Sequence, residues 1–166
     1  MTARTICLAV AVAALLSAPA RAQDALLTLK VLSPELALDL ARAALADCRK
    51  RGYQVAVAVV DRFGVTQVAL RDRFAGPHTL ASATGKGWTA VSFRSNTSEL
   101  VAASREGTPQ AGMRQIPGAL VLGGGVIIEA AGSLVGGIGV SGAPGGEADE
   151  ACAKAGIEAV RDRLDF

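Results

Sequence analysis

The sequence predicts an α+β domain, an antiparallel sheet of about five strands with helices packed against it. Three observations predict it. The β-branched runs come as hairpin pairs joined by short turns, not by helical crossovers. Stretches of helical periodicity precede, separate and follow those pairs. No internal repeat or low-complexity linker divides residues 23–166, so they read as one domain.

Residues 1–22 read as a secretory signal peptide. Arg4 supplies the positive start, Ile6 to Leu16 an apolar core too short for a bilayer anchor, and Ala20-Arg21-Ala22 the cleavage site. Cys7 opens the apolar core instead of following it, which argues against a lipoprotein. The mature chain then starts at Gln23 in a periplasmic or secreted setting. Loss of Arg4 and Arg21 brings the 17 basic residues level with the 15 acidic ones. A balanced surface argues against nucleic acid or anionic lipid as the main partner.

Ser33, Pro34 and Glu35 open a helix whose apolar positions run Ala37, Ala41, Ala44 and Cys48 and which closes at Lys50-Arg51-Gly52. Tyr53–Val60 and Val65–Leu70 form a hairpin about the turn Asp61-Arg62-Phe63-Gly64. After a charged loop, Thr79–Phe93 reads as a helix in which Gly85 and Gly87 permit close approach. Asn96 or Thr97 caps a short helix to Ala103. Residues 107–117 form a loop long enough to carry function. Ala119–Leu122, Val126–Glu129 and Leu134–Val140 follow as strands separated by glycine turns. A last helix spans Gly146 to Leu164, with Glu147, Asp149 and Glu150 at its positive end and Arg161 and Arg163 at its negative end.

Cys48 and Cys152 fit neither a C-x-x-C redox pair nor a zinc spacing. They are read as two small, buried, unpaired residues. A bridge is the alternative, since both sit on helices expected to cover one sheet and export permits it. Gly137-Ile138-Gly139-Val140-Ser141-Gly142 matches G-x-G-x-x-G, but only one helix follows it, so no later strand is left to hold a ribose. Its glycines read instead as a strand that another backbone or a flat ligand approaches. Ser141 lacks the final glycine of a nucleophile elbow and reads as a cap or turn former. Asp61 reads as a turn cap and Glu129 as structural.

The segment Gly136-Gly137-Ile138-Gly139-Val140-Ser141-Gly142, then Gly145-Gly146-Glu147 and Asp149-Glu150-Ala151-Cys152, resembles the signature of the GlcG/HbpS family, which includes the C-terminal domain of PduO-type proteins. Ala56–Gly64 resembles that family's first hairpin. Lys86-Gly87-Trp88-Thr89-Ala90 resembles its second helix, with Gly87 where the family commonly has alanine. The resemblance implies a profilin-like layered fold and an exported haem-binding protein that stores, senses or scavenges haem or a related tetrapyrrole. It also implies a homo-oligomer, dimeric or higher, and in some members a membrane sensor partner. The competing reading is an enzyme or accessory protein of small-molecule metabolism that binds a small carboxylate or corrinoid. No catalytic residue is assigned.

His78 is the sole histidine and cannot build a zinc or triad site alone. One axial ligand suffices for haem iron, so His78 is the candidate metal ligand beside its plain structural reading. Met113, on the long loop, is a candidate second ligand. Arg71, Arg73 and Lys86 are candidates for a basic rim that pairs with propionates or a small carboxylate. The alternative for them is a solvated charged face.

Overall fold

The structure is a computed structural model and describes residues 27–165. Residues 1–22, read from the sequence as a signal peptide, lie outside the described residues. Helix α1 (Pro34–Lys50) starts where Ser33 Oγ accepts from the Leu36 N–H at 3.2 Å, with proline in the first turn. Its buried residues, Ala37, Leu40, Ala41, Ala44, Leu45 and Cys48, fall on one stripe at helical spacing. Gly52, at φ 83°, turns the chain into the sheet.

Strands β1 (Ala56–Asp61) and β2 (Thr66–Arg71) form the expected hairpin. Asp61 Oδ1 accepts from the Phe63 and Val65 N–H groups at 2.8 and 2.9 Å, which makes it the turn cap read from the sequence. Strands β3 (Gly125–Ala130) and β4 (Ser133–Ser141) form the second hairpin, turning through Ala131 and Gly132, both at positive φ. The sheet is antiparallel, in the order β2-β1-β4-β3.

Among the described residues it has four strands, not five. The Ala119–Leu122 segment is irregular because its backbone groups are met elsewhere. Thr89 Oγ1 accepts the Leu120 N–H at 2.8 Å, the Ala119 N–H turns back to Ile116, and Arg114 donates to the Val121, Ser104 and Val101 carbonyls. No ladder is left for that segment to join.

Side chains alternate across the sheet. Val57, Val59, Val126, Ile128, Ile138 and Val140 face α1 and the last helix, α4 (Gly146–Glu158), and build the main core. Burying a side chain such as Ile128 or Ile138 contributes about 1.5–3 kcal/mol. Ala56, Ala58 and, from β4, Gly137 and Gly139 face helix α2 (Thr79–Phe93). Here the G-x-G pattern acts as a docking surface. A Cβ on Gly139 would come within 1.9 Å of the Ala83 carbonyl oxygen, and one on Gly137 within 2.7 Å of Val91. The α2 backbone lies directly on the β4 backbone, as the glycine-strand reading anticipates.

Helix α3 (Thr97–Ala103) follows α2, and a 3₁₀ turn (Ala111–Gln115) breaks the long loop. The last helix is shorter than the sequence suggests. Val160 leaves helical backbone at φ −125°, and a 3₁₀ turn (Arg161–Arg163) then seats Leu164 in the core.

Cys48 and Cys152 form a disulfide, with Cα atoms 5.4 Å apart, and this corrects their reading as free thiols. The close approach comes from Gly156, where a Cβ would lie 2.8 Å from both Leu40 O and Ala44 Cβ. Bare backbone at that point lets α4 settle against α1. No helix among the described residues is long and apolar enough to cross a membrane.

Candidate functional site

A cleft of about 550 Å³ opens where the loop before α2, the end of β4 and the start of α4 converge. Its lining includes His78, Phe74, Leu122, Lys86, Ser141 and Asp149, on a floor rich in glycine (Gly123, Gly142, Gly145, Gly146). The volume suits a small-molecule site, and the lining is more polar than apolar. The glycines sit where the chain passes close to itself. Gly124 is at φ 115°, and a Cβ there would be 2.7 Å from Asp149 Cβ and 3.0 Å from Lys86 Nζ.

His78 stands immediately before α2 and is exposed. Its backbone carbonyl accepts from Ser82 at 3.0 Å. Its ring makes no hydrogen bond among the described residues and lies over Gly76, where a Cβ would be 2.8 Å from Cε1. An imidazole held at a cleft mouth with unengaged nitrogens is chemically able to ligate a metal.

Lys86 is not at a solvated rim. Its position belongs to the buried stripe of α2, and its ammonium donates to Asp149 Oδ2 at 2.7 Å and to the Val140 carbonyl at 2.9 Å. Both side chains of the pair are only 5% exposed. Asp149 Oδ1 also accepts the Ala143 N–H at 3.0 Å. Burial pushes the Asp149 carboxyl above its ordinary range, against the opposing pull of Lys86 and of that N–H.

The other sequence candidates lie apart from the cleft wall. Arg71 is exposed and donates to the Ala75 carbonyl. Arg73 is exposed on the same loop without a partner among the described residues. Between them Asp72 is buried and paired with Arg49. Met113 lies half-buried on the 3₁₀ turn and does not line the cleft. The structure thus brings together His78 and Lys86 but not Arg71, Arg73 or Met113.

Asp149 is the cleft residue that sequence reasoning missed. Its acidity was credited to the helix dipole. The signal was its register, since Asp149, Cys152, Ala153 and Gly156 all fall on the buried face of α4. A carboxylate on a core stripe calls for a buried cation. Among the described residues no cluster of three or more His, Cys, Asp or Glu side chains could hold a metal ion. A second groove of about 510 Å³, lined by Leu80, Ala81, Thr84, Gly85, Trp88 and Gly118, runs along the outer face of α2 and is predominantly apolar.

Residues 32–158 match the family model described as "Haem degrading protein HbpS-like". The fold is similar to the crystal structure of a double mutant of HbpS from Streptomyces reticuli, at 44% identity and a TM-score of 0.77, covering 87% of this chain and 97% of that one. It is similar to PduOC, crystallised as a heme complex, at 30% identity and a TM-score of 0.73, covering 78% of this chain and 95% of that one. Protein ORFY of Klebsiella pneumoniae shares the fold at 23% identity and a TM-score of 0.80, covering 84% and 97%. No curated protein sequence matches the chain significantly.

Proposed function

Because the chain belongs to the HbpS-like family, we propose that it is an exported haem-binding protein that stores, senses or scavenges haem in the cleft before α2. The observation that carries the reading is His78, a solvent-accessible imidazole without a hydrogen-bond partner among the described residues, at the mouth of a glycine-floored cleft. Phe74 and Leu122 on the same cleft are 79% and 52% exposed. Large apolar side chains left open beside a cleft suit a flat apolar ligand. The heme complex of the PduOC relative supports the same ligand class.

The residues present fit haem. His78 would be its single protein ligand, and the bound group would supply the iron chemistry. Arg73, exposed and without a partner among the described residues, is on the loop that carries Phe74 and His78 and is available to a propionate that projects from the cleft. Helices on both faces of one antiparallel sheet support the profilin-like description. Export is supported by the composition of residues 1–22 and by the Cys48–Cys152 bridge. A homo-oligomer formed through the apolar outer face of α2, and a membrane sensor as partner, complete the reading.

The test is a haemin titration of the mature chain, Gln23 to Phe166, followed by absorbance with His78→Ala alongside. A saturable, shifted Soret band in the native protein and its loss in the variant is the expected result. A band in both moves the ligand to another residue. No saturable band in either sinks the haem reading.

A further inference from the structure

We infer that the floor of the cleft is a binding site for one carboxylate group, built from Ser141, Lys86 and the first turn of α4. This rests on the cleft being the ligand site proposed above, and not on the ligand being haem.

Three independent donors converge there. Ser141 ends β4, is only 7% exposed and lines the cleft, yet its hydroxyl has no hydrogen-bond partner among the described residues. A hydroxyl that lines the cleft and has no partner in the fold is open to a ligand group there, as donor and as acceptor. The Lys86 ammonium has three N–H donors. Val140 and Asp149 take two of them, and the third is uncommitted among the described residues. Helix α4 starts at Gly145, which brings no side-chain cap, so the N–H groups of Gly146, Glu147 and Ala148 lack an acceptor within the helix. Gly145 and Gly146 line the cleft.

Charge then selects the ligand. Lys86 and Asp149 cancel one another, leaving the hydroxyl dipole and the partial positive charge of the helix start. That suits a single negative charge. Asp149 within the site and Glu147 exposed on the first turn both oppose a dianion such as phosphate. A carboxylate carries one charge on two acceptor oxygens, matching donors on two sides. Its source is either a free small acid or a propionate of a bound tetrapyrrole.

The test uses the ¹⁵N-labelled mature protein, native and Ser141→Ala, titrated with sodium acetate, sodium phosphate and a sodium chloride control. Haemin and haemin dimethyl ester are titrated by absorbance on the same two proteins. The Ser141 hydroxyl makes no hydrogen bond among the described residues, so S141A keeps the backbone ladder and should fold, and its melting temperature checks that. If free acids bind, acetate gives saturable shifts at the Gly145, Gly146 and Glu147 amides, and S141A weakens acetate about tenfold. If the source is a propionate, S141A weakens haemin about tenfold and leaves the ester unchanged. Acetate binding without haemin binding supports the carboxylate site and removes haem. Haemin and its ester bound equally, with no acetate shifts in the native protein, overturns the carboxylate site and leaves haem standing. Tighter binding of phosphate than of acetate also overturns it.

Discussion

Lys86 and Asp149 belong to helices on opposite faces of the sheet, yet their charged groups meet at 2.7 Å at the end of β4, both almost fully buried. Breaking a buried pair by removing one member leaves an uncompensated charge and costs about 3–5 kcal/mol. The pair therefore joins the two layers at the point where the cleft forms.

Removing the cation should make stability pH-dependent in a defined direction. The folded Asp149 already holds its proton to higher pH than an ordinary aspartate, because burial outweighs Lys86. A raised folded value means that the folded state binds more protons, so this group's contribution to stability falls as pH rises from the ordinary aspartate range to the raised value. It is constant above that. Lys86→Met widens this window by withdrawing the opposing pull. The variant should be less stable than the native protein by roughly 3 kcal/mol at neutral pH, with a deficit that shrinks in acid. Urea unfolding across that range checks it, and a deficit independent of pH would refute the account.

Gly139→Ala should be severely destabilising, because the new Cβ meets the Ala83 carbonyl oxygen at 1.9 Å and the α2 backbone cannot withdraw without losing its seat. A loss of about 3 kcal/mol or more is expected, at or beyond the upper end of ordinary overpacking. Gly112→Ala, with nothing within 4 Å of its Cβ, should stay within about 0.5 kcal/mol. Chemical denaturation of the pair is the measurement.

The Cys48–Cys152 bridge spans a sequence separation of 104. Loop closure of that size corresponds to roughly 4–5 kcal/mol in the chain-entropy picture. The Cys48→Ser, Cys152→Ser double variant should therefore unfold at clearly lower denaturant, and reductant should shift the native protein but not the variant.

Met113→Ala should leave a haemin titration unchanged, since Met113 lies outside the cleft wall. A lost or shifted Soret band in that variant would place the ligand site on the 3₁₀ turn instead.

Local patterns were legible wherever a residue's role depends on its near neighbours. Ser33 with Pro34, Asp61 with Gly64 and the turn before Ser133 announced their elements because caps and turns are satisfied within a few residues. The Ala119–Leu122 segment misled for the converse reason. Its apolar run suits a strand, but Thr89 and Arg114, far off in sequence or outside any periodic pattern, claim its backbone. Lys86 and Asp149 each look like ordinary surface charges alone. Their pairing shows only when both are placed on core stripes and the two stripes are brought together. The cysteines could be placed on helices covering one sheet, but their pairing depends on how closely those helices meet, which the bare backbone at Gly156 on a facing helix sets.

The bridge between α1 and α4 also closes most of the folded chain into a covalent ring. A protease that cuts after the exposed Arg105, just before the long loop, would open that ring without releasing a fragment. The two pieces would migrate as one species until a reductant separated them. Such a molecule tolerates a nick there and still keeps α1 and α4 together.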